Sequence, residues 1–378
     1  MPNDAEFSSP FGTVQLERLP PDPTHTLHAW DAADQYLLEY LRENYPDSLQ
    51  PLVINDQFGA IGVTLRSRNP VMVSDSFVSQ QAIDANLRVN GGDNLEIRDS
   101  ISPLPNAAVV VLKLPKNTRY FEYLLQQLNH DLPAGTPVLI GAMLKYLSSS
   151  FFKLFEQHLD KTSTTLARKK ARLLLGKTRG GYTPPRLEQA RQQPEVGLTL
   201  FDTPNVFAAG KLDQGSRFFL QHFPDLSGVK EAIDLGCGNG ILGLYALREN
   251  PQLEMGFVDE SCQAIYATRC ALEALGATDR GQLHQNHCLQ GFAENSVDAV
   301  LCNPPFHQQQ AVGIQTARQM FRDSARVLKA DGTFYIIGNR HLGYHIELKR
   351  YFNNVKTIAS DKKFVLWGAK NPQRLSNK

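Results

Sequence analysis

Short apolar runs alternate with stretches of helical apolar spacing along the first half of the chain. Apolar residues that recur every three to four positions predict amphipathic helices, whereas short continuous apolar runs predict buried strands. The predicted helices are residues 25–43, 79–90, 120–128 and 148–159, with a helix-like stretch after Gly62, and the predicted strands are residues 51–54, 71–75, 107–114 and 135–141. This alternation predicts βαβ units and a parallel sheet.

The second half of the chain repeats the first at a nearly constant separation. Residues 232–247 follow the outline of residues 52–65, residues 257–259 that of residues 73–75, so that Asp259 matches Asp75, and residues 300–304 that of residues 111–115. Such self-similarity predicts two tandem α/β domains of one fold. We place them at residues 1–190 and 191–378, with a linker in the Gly-, Pro- and Gln-rich residues 176–196, part of which could complete an edge strand of the first domain.

The two copies differ where chemistry would be expected. The first copy has Asn55-Asp56-Gln57-Phe58 where the second has Gly236-Cys237-Gly238-Asn239, and the repeat sets Leu114 opposite Asn303. We therefore predict that the first domain is a degenerate copy of the second.

The composition is that of a soluble globular protein. Hydrophobic residues make up 42% of the 378 residues and charged residues 20%. Apolar stretches stay well below the ~18 residues of a membrane-spanning helix, and residues 1–12 are polar and lack a signal-peptide pattern. We expect a cytoplasmic protein without a membrane partner. The five cysteines form no CxxC pair and have no zinc-like histidine spacing, so we expect reduced thiols and no metal.

Basic residues cluster at the end of the first domain. Seven basic residues and no acidic ones lie between Arg168 and Arg186. Such a run is either a solvated face or a contact for a phosphate backbone. The candidate phosphate contacts are Arg168, Lys169, Lys170, Arg172, Lys177 and Arg179.

A glycine-rich turn opens the second domain. The sequence Asp234-Leu235-Gly236-Cys237-Gly238-Asn239-Gly240 joins a predicted strand to a predicted helix at residues 241–248. Alternate glycines allow positive φ and close approach of a ligand, and the helix N-terminus offers unpaired N–H groups. Asp259 follows about 20 residues later, where a carboxylate can bind ribose hydroxyls.

Two cofactors fit this turn. Gly238-x-Gly240-x-x-Gly243 matches the dinucleotide fingerprint of dehydrogenases. The Asp234 carboxylate argues against that interpretation, because it would repel a pyrophosphate and attract an ammonium group. S-adenosylmethionine has a ribose and an amino-acid end but no phosphate, so the pattern favours it. A plain tight turn is the remaining alternative.

The predicted strand at residues 298–302 ends in Asn303-Pro304-Pro305-Phe306. Two prolines make this loop stiff, because they fix φ and cannot donate hydrogen bonds. In a doubly wound sheet the loop and the glycine turn open at the same edge. The Asn303 and Pro304 oxygens could accept the N–H groups of a base amine while Phe306 stacks on the flipped base. His307 would orient the substrate or act as a base. For the loop as a whole, the alternative is a strand end with an ordinary turn.

These motifs together resemble class I methyltransferases that act on exocyclic or amide nitrogens. More narrowly, they resemble the bacterial ribosomal RNA guanine-N2 methyltransferases of the small and large subunits. Longer stretches look like the large-subunit family, methyltransferase G of 23S ribosomal RNA; they are residues 29–38, 165–172, 257–261, 301–309 and 338–342. Residues 205–207 and 212–215 also resemble that group, although Ala208-Ala209 stands where many members have Ser-Arg.

The resemblance implies two tandem Rossmann-like class I methyltransferase domains, the N-terminal copy degenerate. It also implies S-adenosylmethionine as the methyl donor and guanine N2 of 23S ribosomal RNA as the acceptor. The implied catalytic residues are Asn303, Pro304, Pro305 and Phe306. The implied donor-binding residues are Asp234, Gly236, Cys237, Gly238, Asn239, Gly240, Asp259, Glu260, Asn286 and Asn303. Asn286, expected near the adenine, could equally be a surface turn residue.

The first domain would then bind RNA through the basic run, or only stabilise the second domain, and we expect a monomer. Other functions stay open at this point. They are guanine-N2 methylation of 16S ribosomal RNA, adenine-N6 or glutamine-N5 methylation, and an RNA-binding or assembly factor that keeps a donor site without turnover.

Overall fold

The computed structural model describes residues 5–21, 27–207, 209–305 and 310–373, with the backbone alone for residues 310–314. The chain divides into two compact units, Met1–Leu187 and Glu188–Lys378.

The first unit contains one large sheet and one small hairpin. Its strands are β1 (Glu6–Ser9), β2 (Gly12–Gln15), β3 (Pro51–Ile54), β4 (Val71–Val73), β5 (Glu96–Arg98), β6 (Val109–Lys113), β7 (Pro137–Met143), β8 (Leu159–Thr164) and β9 (Ala171–Thr178). Its helices are α1 (Ala32–Asn44), α2 (Phe77–Val89), α3 (Thr118–Asp131) and α4 (Ser149–His158). The seven-stranded sheet has the order β5-β4-β3-β6-β7-β9-β8.

The second unit has the same plan. Its strands are β10 (Gln189–Gln193), β11 (Leu198–Asp202), β12 (Glu231–Leu235), β13 (Glu254–Asp259), β14 (Gly281–Gln285), β15 (Val297–Cys302), β16 (Leu328–Asn339), β17 (Phe352–Ser360) and β18 (Phe364–Pro372). Its helices are α5 (Gln214–Gln221), α6 (Ile241–Glu249), α7 (Cys262–Leu275), α8 (Gln310–Val327) and α9 (Tyr344–Leu348). The seven-stranded sheet has the order β14-β13-β12-β15-β16-β18-β17.

The two sheets are equivalent strand for strand. In each sheet the strands are parallel to one another except for one, β9 or β18, which is antiparallel to both of its neighbours. Each sheet is buried on both faces by separate apolar clusters, because successive side chains along a strand point to opposite faces. The prediction of two tandem α/β domains is confirmed.

Strand register corrects two details of the predicted repeat. Ile54 pairs with Val73 and Leu112, just as Leu235 pairs with Val258 and Cys302. The residue opposite Asn303 is therefore Lys113 and not Leu114, and the residue opposite Asp259 is Ser74 and not Asp75. Ser76 and Ser261, which cap α2 and α7, agree with this alignment.

Two predicted elements were wrong. The helix-like stretch after Gly62 is a series of turns ending in a 3₁₀ helix at Arg66–Arg68. The buried Asp56 carboxylate accepts the N–H groups of Gly59, Ile61 and Gly62, which holds this segment in its turns. The predicted linker, residues 176–196, was too long at both ends, since residues 176–178 belong to β9, an interior strand of the sheet, and residues 189–196 form β10 and a 3₁₀ turn.

Candidate active site

Three neighbouring strands of the second sheet end level with one another. Leu235 of β12 pairs with Val258 of β13 on one side and with Cys302 of β15 on the other. The residues that follow these three are Gly236, Asp259 and Asn303. Neighbouring strands lie about 4.8 Å apart, so these three predicted site residues form a row at the edge where doubly wound sheets bind ligands.

The glycine turn after β12 has a backbone that favours glycine. Gly236, Gly238 and Gly240 have φ values of 73°, 58° and 79°. A Cβ atom on Gly240 would lie 2.8 Å from Thr268 Cγ2, too close for any larger residue. The hydroxyl of Thr268, on α7, donates to the Gly238 carbonyl at 3.1 Å and so holds the turn in place.

Cys237 and Asn239 occupy the positions between the glycines, and both are buried. The Cys237 Sγ lies 3.7 Å from Thr268 Oγ1. Burial raises the pKa of the Cys237 thiol well above its usual value, so the thiol stays neutral. These two side chains pack the turn from within, which leaves its backbone as the surface available to a ligand.

Asp234 lies beneath the turn with 1% of its surface exposed. Its Oδ2 accepts the Gly243 N–H at 2.9 Å and so ties β12 to the first turn of α6. Burial raises the pKa of Asp234 to about 7; the Gly243 N–H opposes this rise, and the nearby Asp259 charge adds to it.

Asp259 connects the end of β13 to the glycine turn. Its Oδ2 accepts the Gly238 N–H at 2.9 Å and its Oδ1 the Ser261 N–H at 3.0 Å. Asn286, the residue after β14, donates its backbone N–H to the Asp259 carbonyl at 2.9 Å, and the Glu260 carbonyl accepts from Gln285 Nε2 at 3.1 Å. The predicted donor-binding residues on these strands therefore gather at one edge of the sheet.

The Asn303 side chain is held through its nitrogen. Its Nδ2 donates to Asp213 Oδ2 at 3.1 Å and to Ser216 Oγ at 2.9 Å. Its Oδ1 is buried and accepts no hydrogen bond from any residue that the structure describes. Pro304 is buried and Pro305 half-buried, whereas the predicted residues Phe306 and His307 lie outside the described residues.

The sequence pattern does not indicate that Asp213 and Ser216 hold Asn303. In sequence, residues 212–215 show only the family resemblance. A local signal was present, since Asp213 is the N-cap of α5 and its carboxylate accepts the Ser216 N–H at 3.0 Å. Its contact with a residue 90 positions away is visible only in the fold.

The basic run divides into exposed and engaged side chains. Lys169 and Lys170 occupy the turn between β8 and β9, where Lys169 Nζ lies 3.0 Å from Gln35 Oε1. Arg168 stacks over the Tyr36 ring at 4.9 Å and pairs with Glu39 at 3.6 Å. Arg168 and Lys169 thus contact α1, and all three cations are exposed.

Of the other three predicted contacts, two are half-buried and the third, Arg179, is exposed but held by contacts within the domain. Arg172 is half-buried, and its Nε finds no partner among the residues described. Lys177 is half-buried on β9. Arg179 pairs with Asp160 at 2.8 Å and donates to the carbonyls of Glu156 and Leu159, so it joins β9 to the end of α4.

All five cysteines are free. Within residues 5–21, 27–207, 209–305 and 310–373, we find no group of three or more His, Cys, Asp or Glu side chains that could hold a metal ion. None of the helices described is both long and apolar enough to cross a membrane.

Family models match both units. Residues 4–180 match the RLMG N-terminal domain, and residues 197–367 match the methyltransferase small domain. With the glycine turn and the Asn-Pro-Pro loop at the carboxyl edge of a sheet of this order, the chain is a class I methyltransferase that uses S-adenosylmethionine.

Two curated relatives identify the family within this class. The chain is 44% identical over 363 residues to ribosomal RNA large subunit methyltransferase G of Klebsiella pneumoniae (strain 342), covering 93% of this chain and 94% of the relative. It is 40% identical over 365 residues to the protein of the same name from Pseudoalteromonas translucida (strain TAC 125), covering 94% and 96%. The chain belongs to the ribosomal RNA large subunit methyltransferase G family.

A solved structure shares the whole fold. It is described as the T. thermophilus 16S rRNA N2 G1207 methyltransferase (RsmC) in complex with AdoMet and guanosine, and it covers 97% of both chains with a TM-score of 0.78. At 21% identity it supports the two-domain architecture alone.

Proposed function

We propose that this chain transfers a methyl group from S-adenosylmethionine to the exocyclic N2 of a guanine in 23S ribosomal RNA. The observation that carries the proposal is the Asn303 oxygen, a buried acceptor without a partner among the described residues, in one row with the glycine turn. A guanine amine has two N–H groups that need acceptors once the base leaves its stack.

The donor site fits its ligand on the observations above. We propose that the backbone of residues 236–240 contacts the amino-acid end and that the Asp259 carboxylate binds the ribose, with Glu260 and Asn286 toward the adenine. Asp234 would hold the turn in place from below, because its carboxylate is buried and bonded to α6.

The acceptor site aligns the amine. S-adenosylmethionine supplies a sulfonium methyl group: the N2 lone pair bonds to the methyl carbon, the carbon–sulfur pair stays on sulfur, and N2 then loses one proton to water. A conjugated amine is a weak nucleophile because its lone pair is delocalised into the ring. Asn303 Oδ1 and the Pro304 carbonyl would accept its two N–H groups and direct the lone pair outward, so that alignment supplies most of the rate.

A direct experiment identifies the substrate. The protein is incubated with labelled S-adenosylmethionine and either 23S or 16S ribosomal RNA free of protein, and each RNA is digested to nucleosides. We expect labelled N2-methylguanosine from 23S RNA alone. Label in 16S RNA alone, or in N6-methyladenosine, would contradict the proposal. Donor binding without labelled nucleoside would favour a binding or assembly factor.

We further propose that residues 1–190 form an RNA-binding domain and residues 191–378 the catalytic domain of a cytoplasmic monomer. Support comes from the exposed cations at the β8–β9 turn. Neutralising Arg168, Lys169, Lys170 and Arg172 together should weaken RNA binding and leave donor affinity unchanged.

The half-buried Arg172 makes a smaller variant the sharper test of RNA binding. Lys169→Gln with Lys170→Gln should lower the slope of log affinity against log salt by roughly 1 to 2, as expected for one or two lost phosphate contacts. The matched control is Lys145→Gln with Lys153→Gln, which removes the same charge from exposed positions outside the run. Equal RNA affinity of the two double variants in filter binding would refute the assignment.

A further inference from the structure

Asn303 lies in a polar triangle with Asp213 and Ser216. We propose that these two residues are positioning residues that lock the Asn303 amide with its oxygen toward the substrate, which makes the site selective for an amine. The inference rests on the proposed guanine-N2 methylation and deepens it.

Chemistry fixes the direction of the amide. A carboxylate can only accept hydrogen bonds, so the side of Asn303 that faces Asp213 Oδ2 at 3.1 Å must be the Nδ2 group. The Ser216 hydroxyl accepts from the same nitrogen at 2.9 Å. Both amide hydrogens are then used, and the oxygen is the part of the side chain that remains for a ligand.

Gly215 keeps this arrangement open. A Cβ atom at Gly215 would lie 2.9 Å from Asp213 Oδ2 and 3.1 Å from Asn303 Oδ1. The carboxylate itself cannot move easily, because it also accepts the Ser216 N–H at the start of α5. The helix start therefore forms a rigid receptor for a donor group at the end of β15.

The first domain contains the same receptor with a different occupant. Lys113, opposite Asn303, places its Nζ 2.6 Å from Asp31 and 2.5 Å from Asp34, and Asp31 is the N-cap of α1 as Asp213 is of α5. A lysine satisfies two acceptors but presents none of its own. Only an amide both fills the receptor and offers an acceptor, which explains why the two domains differ here.

An acceptor fixed in this way selects its partner. It binds an N–H group and repels ring nitrogens or carbonyl oxygens, which are acceptors themselves. An aspartate at position 303 would lose this arrangement, because its carboxylate would meet that of Asp213 and like charges at this distance repel.

The test exchanges the two residues. The proteins are the wild type, Asn303→Asp, Asp213→Asn and the double variant that carries both changes. We expect Asn303→Asp to lower kcat roughly 10²-fold or more, similar to the loss of one aligned polar group in other active sites. In the double variant, the amide nitrogen introduced at position 213 would donate to the carboxylate introduced at position 303, so most of kcat should return, and thermal unfolding reports any loss of the α5 cap. The rate of Asn303→Asp relative to wild type should also rise as the pH falls, because a proton shared by the two carboxylates removes their repulsion.

Donor affinity and thermal unfolding are measured for all four proteins. If the double variant folds and binds the donor but is no more active than Asn303→Asp, the positioning role is wrong. If the wild type itself forms no N2-methylguanosine, the proposed function fails first. Ser216→Ala provides a second measurement: we expect a lower kcat with an unchanged donor affinity, and an unchanged kcat would contradict the role of Ser216.

Discussion

The two domains have the same strand order, yet only one has the residues of a methyl-transfer site. At the level where the second sheet presents Gly236, Asp259 and Asn303, the first presents Asn55, Ser74 and Lys113. The shared fold places three residues at the same level in each domain, and on the proposed function it is the identity of these residues that distinguishes the methyl-transfer site from its counterpart.

The turns after β3 and β12 are each held by a buried carboxylate, which lies in a different place in the two domains. In the second domain, the carboxylate that bonds Gly243 comes from Asp234 beneath the turn, and the turn itself is glycine-rich. In the first, Asp56 lies within the turn, and its carboxylate takes up the N–H groups of Gly59, Ile61 and Gly62. Gly240 and Gly243, which lie opposite Gly59 and Gly62, also have their N–H groups bonded within the second domain, to the Cys237 carbonyl and the Asp234 carboxylate. The two turns therefore differ in where the buried carboxylate lies, within the turn in the first domain and beneath it in the second.

An ion pair occupies the position in the first domain that Asn303 occupies in the second. The half-buried Lys113 pairs with Asp31 and with the buried Asp34, and burial raises the pKa of Asp34 while the Lys113 charge partly lowers it. A buried ion pair stabilises little by itself, but removing one partner leaves an uncompensated charge. At this edge of the first sheet, charged side chains therefore pair with one another, and removing one would leave the others uncompensated.

The largest expected effect is on catalysis. Asn303→Ala should lower kcat roughly 10²- to 10³-fold, because the amine loses its aligned acceptor, while donor affinity is retained. Ser74→Ala in the first domain is the control, and its kcat should match that of the wild type. Methyl transfer under single-turnover conditions is the measurement, and a wild-type rate for Asn303→Ala would contradict the acceptor role.

A second effect concerns stability and pH. The pKa of Asp234 is raised to about 7, so the folded state binds more protons than the unfolded state between about pH 4 and 7. The free energy of unfolding should fall as the pH rises through this window, on the order of 1.4 kcal/mol per unit.

Asp234→Asn should remove that dependence, since the amide oxygen can still accept the Gly243 N–H and carries no charge. Urea denaturation at several pH values checks this. The variant should gain stability relative to wild type as the pH rises to about 7 and no further. Parallel curves for the two proteins would show that Asp234 does not titrate as described.

The smallest effect distinguishes crowding from backbone strain in the glycine turn. Gly238→Ala adds a Cβ with nothing within 4 Å, whereas in Gly240→Ala the added Cβ lies 2.8 Å from Thr268. Both variants are strained by a positive φ, on the order of 1 kcal/mol, and we expect Gly240→Ala to cost about 1–3 kcal/mol more. Equal thermal shifts for the two variants would contradict the close packing.

Much of this architecture could be predicted from the sequence. The apolar runs at β3, β6, β12 and β15 are short and bounded by turn residues, which makes them recognisable as buried strands, and the repeat indicated two copies of one fold. The repeat was misaligned by one residue at Leu114 and Asp75, because an apolar pattern does not specify which residues pair. Hydrogen-bond register decides that, and it is a property of the sheet.

The polar contacts of Asn303 were harder to predict. Asp213 and Ser216 are ordinary N-cap residues in sequence, and their second role requires α5 to begin beside the end of β15. The short strand β5 and the edge strand β8 were missed for a related reason. Both are polar along much of their length and are specified by pairing with a neighbour.

Donor stoichiometry tests the central claim most directly. Titration calorimetry of S-adenosylmethionine into the whole chain should give one site. Asp259→Ala should weaken that site roughly 10- to 100-fold, because the ribose loses its charged acceptor, and Ser74→Ala should change nothing. Two sites per chain, or full affinity in Asp259→Ala, would show that the row after β12, β13 and β15 does not distinguish the two domains.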